Sequence, residues 1–146
     1  MAGREPQTAR PRAVIVHGLA EARAACAVAH ELGVAVELRS APGAAASLGP
    51  LWFQEIVAAI ETEFPDLTVD AVLDCADAPG YALAALRQGL GRIRFTGPVV
   101  TRDKIAAIAR RCGAAVESGR PPRALDAARE PDADAALRAW LGGKRR

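Results

Sequence analysis

Few side chains in this sequence are suited to chemistry, and most of them follow short apolar runs. His17 closes Ala13-Val14-Ile15-Val16, and Asp74 closes Val69-Asp70-Ala71-Val72-Leu73. An imidazole that titrates near neutral pH and is oriented by a carboxylate is the usual equipment of a general acid or base. His17 and Asp74 are therefore the candidate catalytic pair. Arg39 and Ser40 follow a second run, Val34-Ala35-Val36-Glu37-Leu38. They open a segment from Arg39 to Pro50 that is rich in Gly, Ala, Ser and Pro. Its Gly43 and Ser47 let backbone come close to a ligand, and a connection of this length in a compact domain commonly binds something. Asp77, Thr96 and Gly97, near two further run ends, complete the candidate ligand-binding set.

Neither a metal nor a cofactor is expected. Asp74 and Asp77 bracket Cys75 in a way that could suit Mg²⁺, but Asp77 or Ala78 reads better as the cap of the helix that has Pro79 in its first turn. The Gly-rich segment lacks the lysine of a nucleotide-binding P-loop, and Gly89-Leu90-Gly91 follows a helix instead of opening one. The two lysines, Lys104 and Lys144, lie away from the strand ends where a Schiff base would need one. Three cysteines, Cys26, Cys75 and Cys112, with no CxxC spacing, indicate neither a disulfide framework nor a zinc site. Cys26 and Cys112 fall on apolar helix faces, and His30 on the back half of the first helix reads as a surface residue.

The elements that must position these residues alternate strand and helix. The apolar runs 13–16, 34–38, 69–73, 93–95 and 114–117 read as five strands. Helices are expected at about 19–32 (closed by Gly33), 51–64 (stopped by Pro65), 79–88, and from a Thr101 cap to Cys112, with Ile105, Ile108, Ala109 and Cys112 facing inward. Glu31-Leu32-Gly33-Val34-Ala35-Val36-Glu37 is echoed by Arg111-Cys112-Gly113-Ala114-Ala115-Val116-Glu117. This repeating β-then-α step is what right-handed parallel crossovers produce. The expected fold is α/β, a three-layer, five-stranded, mostly parallel sheet of flavodoxin-like order 2-1-3-4-5, with a partial (β/α) barrel as the alternative. In the first arrangement His17 and Asp74 would be neighbours at the crevice. Residues 1–12 read as a disordered tail, 13–119 as the α/β domain, and 120–146 as a linker plus a helix capped by Asp132. The Leu137/Trp140/Leu141 face of that helix should dock on the domain or on a partner subunit.

Composition narrows the classes further. The chain has 146 residues, 51% of them hydrophobic and 25% charged, in the range of ordinary globular proteins. Its formal charge of +2 is uneven. Residues 1–12 carry +2 and 120–146 carry +3, leaving the middle at −3. A specific nucleic-acid role is not expected from an anionic folded part. The N-terminal residues lack a secretory apolar run and no segment reads as a membrane span, so the chain reads as cytoplasmic. Its excess of arginine over lysine suggests a GC-rich bacterial source. Open sheet edges lead us to expect a homo-oligomer.

Asp74 before a Pro-Gly turn and Thr96 closing the fourth strand resemble the phosphoacceptor and switch positions of phosphorylated receiver domains. The likeness covers the third-to-fourth strand region only. His17-Gly18 stands where that family has an acidic pair, and its lysine after the fifth strand is missing, so the resemblance implies at most a degenerate signalling domain. The phrase Arg92-Ile93-Arg94-Phe95-Thr96-Gly97 resembles strand ends of phosphate-binding barrels. The functional expectation is a module binding a small anionic ligand, bearing phosphate or carboxylate, or a partner protein at the strand ends. The alternative is a lyase- or isomerase-type enzyme using His17 and Asp74.

Overall fold

The computed structural model describes residues 10–143. Most of the expected N-terminal tail, residues 1–9, and residues 144–146 lie outside the described residues. The chain folds as α/β, with six parallel strands flanked by helices. The strands are β1 (Arg12–Ile15), β2 (Val36–Arg39), β3 (Val69–Asp74), β4 (Arg92–Arg94), β5 (Ala115–Glu117) and β6 (Ala124–Asp126). The helices are α1 (Leu19–Leu32), α2 (Ala44–Leu48), α3 (Pro50–Glu63), α4 (Pro79–Arg87), α5 (Val99–Arg111) and α6 (Ala133–Gly142).

The strand order is 5-4-3-2-1-6, with every neighbouring pair parallel. This corrects the 2-1-3-4-5 order expected from sequence, and Ala124–Asp126, taken for linker, is a sixth strand. The first five strands are adjacent in chain order, as they would be in a (β/α) barrel. Strand count and order escape sequence reading because pairing partners depend on long-range contacts that a local apolar run does not encode. Three smaller expectations also change. The Arg39–Pro50 segment contains α2. The fourth expected helix starts at Val99, behind Pro98 and ahead of the predicted Thr101 cap. In that helix Ile105 and Ala109 are buried, whereas Ile108 and Cys112 are exposed.

Parallel register puts side chains of aligned residues on the same face. Leu125, Val14, Leu38 and Ala71 form one row, continued by Leu73, Ile93 and Val116. This row meets the helices in two apolar clusters. One joins Val14 and Leu38 to Ala22, Cys26 and Ala29 of α1, Ile56 and Ile60 of α3, and Leu137 and Leu141 of α6. The other joins Leu73, Ile93 and Phe95 to Phe53, Ala82, Ala85, Leu86, Ile105 and Ala109. Alanines on the helix faces let the helices come close to the strands. α6 therefore docks on its own chain, against α1. It is capped by Asp132, whose carboxylate accepts from the Ala135 N–H at 3.1 Å. The sequence echo is real: Gly33 caps α1 and Gly113 follows the Cys112 cap of α5, both at positive φ (+67° and +71°) and both ahead of a strand.

Candidate functional site

The opposite row of the sheet is charged. Alternation in Val36-Glu37-Leu38-Arg39 and Arg92-Ile93-Arg94 points Glu37, Arg39, Arg92 and Arg94 away from the helices, in the row that also holds Glu117. Glu37 is fully buried, and Arg39 and Arg94 are nearly so. The Glu37 carboxylate accepts from Arg10 Nη2 at 2.9 Å and Arg39 Nη1 at 3.1 Å, with Arg92 Nη1 at 3.5 Å. Glu117 accepts from Arg10 Nη2 at 2.9 Å, Arg39 Nη1 at 2.9 Å and Arg94 Nη1 at 3.0 Å. No buried side-chain N or O among the described residues lacks a partner. Strands β2 and β5 are three positions apart, which on a flat sheet would be about 14 Å. A single guanidinium nitrogen of Arg10 nevertheless touches both glutamates, so the sheet curls around this face.

The ionic network sets the electrostatics. Burial alone would raise the Glu117 pKa, but hydrogen bonds from Arg39, Arg10 and Arg94 and the positive charge of Arg39 outweigh it, holding the carboxyl at about 2. Burial likewise works against the Arg39 charge, and the hydrogen bonds and fields of Glu117 and Glu37 overcome it, raising its pKa. Burial, with a smaller contribution from Asp74, pushes the Cys75 thiol up to about 12, so it is held neutral.

Above the network, at the carboxyl ends of the strands, lies a cavity of about 440 Å³. Its polar wall is Arg39, Ser40, Asp74, Arg94 and Thr96; Ile15, Val72, Pro121, Pro122 and Ala124 supply the apolar wall. Asp74 is the best-placed acceptor in it. Its Oδ1 accepts from the backbone N–H groups of Gly43 at 3.2 Å and Ala76 at 2.8 Å, and its own N–H donates to Ser40 Oγ at 2.9 Å. The Gly43 donor depends on a left-handed turn, φ +70°, which glycine adopts without strain. Arg94 Nε stands 3.7 Å from Asp74 Oδ2. Pro121 and Pro122 belong to the β5–β6 connection, which Arg94 Nη2 ties down through the Gly119 carbonyl.

Five of the nine candidate residues are thus gathered in one cavity: Arg39, Ser40, Gly43, Asp74 and Thr96. The other four are elsewhere. His17 does not meet Asp74, because β2 lies between β1 and β3. Its Nε2 instead pairs with Asp126, at 3.1 and 3.2 Å from the two carboxylate oxygens, at the end of the unforeseen β6. Ser47 sits exposed on α2 and donates to the Ala44 carbonyl. Asp77 is exposed, and the cap position of α4 is Ala78. Gly97 lies against the Phe95 ring, where a Cβ would come within 2.5 Å of it, so packing accounts for the glycine.

Sequence reading overlooked Glu37, Arg92, Arg94, Arg10 and Asp126. The first three carried a signal. Buried parallel strands are normally continuous apolar runs, so charges at alternate positions of β2 and β4 mark a second, polar interior. Among the described residues no group of three or more His, Cys, Asp or Glu could hold a metal ion, and no helix is long and apolar enough to cross a membrane. No protein-family model matches this chain, and no curated protein matches it either.

Proposed function

We propose that this protein is a binding module for a small polar ligand that carries both a phosphate or carboxylate and a hydroxyl group. The observation that carries this reading is the cavity at the strand ends, where Asp74 is fixed by two backbone N–H groups and faces Arg94 across 3.7 Å. A ligand hydroxyl would donate to Asp74 Oδ2 and its anionic group would lie on the Arg94 side. The N-termini of α1, α4 and α5 follow strand ends on this rim and add partial positive charge. Binding is favoured over turnover by the cavity lining, which offers neither a lysine nor a thiolate. The test is titration of isotope-labelled protein with glycerol 3-phosphate, 3-phosphoglycerate and malate, followed by amide NMR. The expected result is saturable shifts at Gly43, Ala76 and Thr96, weakened at least tenfold in Asp74→Asn. Saturable shifts confined to other regions, or none, would overturn the reading.

One observation favours the enzyme alternative. The Asp126 carboxylate, itself accepting from Ala128 N–H at 3.2 Å, orients the His17 imidazole on the same rim. In that reading Asp126 replaces Asp74 as the partner of His17. Deuterium exchange into a bound ligand's C–H positions, lost in His17→Gln, would favour it over the module.

We also infer self-association. β5 and β6 are the sheet edges, and Leu48, Leu51, Tyr81, Val99 and Val100 are exposed. Sedimentation as a monomer at 100 μM, roughly the range of weak dimers, would remove this inference.

A further inference from the structure

We infer that a cleft between the leading ends of β3 and β4, at the pole opposite the strand-end cavity, binds a free α-amino acid with an aliphatic side chain. β2 and β3 pair along Val36–Arg39 and Val69–Val72, whereas β3 and β4 pair at Leu73↔Ile93 and Asp74↔Arg94 and not before. Two contacts hold the chain that enters β4 against β5 and α4. The Gly91 carbonyl accepts from the Ala115 N–H at 3.0 Å, and the buried Leu90 donates its N–H to the Ala85 carbonyl at 3.2 Å. A cavity of about 380 Å³ occupies the resulting split, within the size range of small-molecule sites. Residues 69–71 form one wall and residues 89–92 the other, and Gln54, Val57 and Glu61 of α3 close it from the helix side.

The two charged groups of this cavity do not satisfy each other. Asp70 is partly buried and makes no hydrogen bond or ion pair among the described residues. Arg92 meets Glu37 through Nη1 at 3.5 Å and has no other partner among them. A carboxylate and a guanidinium held in one cavity without touching suit a ligand that brings the complementary pair, an ammonium for Asp70 and a carboxylate for Arg92. Glu61 and the Gln54 amide oxygen supply further acceptors for the three N–H bonds of a primary ammonium. A quaternary ammonium is disfavoured, because the lining has no aromatic ring to hold it. Val57, Val69 and Leu90 add apolar surface for an aliphatic side chain. Asp70 and Arg92 also line a cavity of about 410 Å³ on the charged face of the sheet, but there Arg10 and Glu117 already pair with each other. The unmatched charge therefore belongs to the cleft.

The experiment is amide NMR of the isotope-labelled full chain titrated with L-leucine to about 10 mM, which saturates a site whose Kd is about 1 mM. Saturable shifts are expected at Asp70, Ala71, Gly89 and Gly91. Three analogues should bind about tenfold more weakly or worse. They are leucinamide, which lacks the carboxylate, 4-methylpentanoate, which lacks the ammonium, and L-glutamate, which sets a second carboxylate against Glu61. Asp70→Asn should lose the same factor and stay folded, since Asp70 has no partner among the described residues to lose. Glu55→Gln, which removes an exposed carboxylate of α3 outside the cavity, should bind leucine unchanged. No saturable shifts at the four amides, equal binding of leucine and the analogues that lack one charge, or undiminished binding in Asp70→Asn would overturn the assignment.

Discussion

The two faces of the sheet use the same strands and opposite chemistry. The helix-facing row, with Val14, Leu38, Leu73 and Ile93, is held by apolar burial, which is non-directional and tolerates many alternative packings. The other row closes on Glu37, Arg39, Arg94 and Glu117, whose hydrogen bonds require particular distances and angles. The comparison teaches a division of labour. The apolar face contributes burial, and the ionic face contributes directional contacts directly beneath the cavity. A buried ion pair is weak evidence of net stability, because desolvation offsets the attraction. Its removal one partner at a time is nonetheless costly.

That asymmetry can be broken experimentally, starting where the effect is largest. Glu37→Ala leaves Arg39 buried without its second carboxylate and should cost about 3–5 kcal/mol. Leu38→Ala, its neighbour on the other face, should cost about 2–4 kcal/mol through lost burial and a cavity. Denaturant unfolding measures both. If the division of labour holds, amide shifts around Thr96 and Gly97 should move in the first variant far more than in the second. Similar perturbation of the rim by both would remove the distinction between the faces.

Acid should dissolve the ionic face selectively. Glu117 has a folded-state pKa of about 2 against an ordinary 4.5. A depressed carboxylate contributes stability that is fully present above 4.5 and is lost as pH falls from there to about 2. The contribution is about 3 kcal/mol, which Glu117→Gln should remove from the pH dependence of unfolding between those limits. An unchanged acid limb in that variant would place the acid sensitivity elsewhere. The smallest effect belongs to Arg92, which is partly exposed and stands 3.5 Å from Glu37. Arg92→Ala should shift stability by less than about 1 kcal/mol. A loss as large as that of Glu37→Ala would show that the outer members of the network matter as much as the buried ones.

Much of the architecture was readable from residues alone. Alternating apolar runs and helix stops identified the parallel α/β class, and Leu19–Leu32 was located to the residue because Gly33 ends it. The echo of Glu31–Glu37 in Arg111–Glu117 marked two equivalent strands, and both of their terminal glutamates lie on the charged face. Ala124–Asp126 was missed because three residues after Pro121-Pro122 carry too little pattern to announce a strand. Half of the candidate site was also legible. Arg39, Ser40, Gly43, Asp74 and Thr96 share one cavity because every strand runs the same way, which brings their carboxyl ends to one rim.

Which residues meet on that rim was a separate matter. The sequence by itself determined the class and the direction of the strands, because those follow from local periodicity and crossover geometry. Only the tertiary structure decided that His17 faces Asp126 across β1 and β6, with β2 between it and Asp74. It also decided that Glu37 and Glu117, eighty residues apart in the chain, are clamped by the same arginines. Neighbour choice in a parallel sheet depends on the sum of many distant contacts, and no single segment carries that sum.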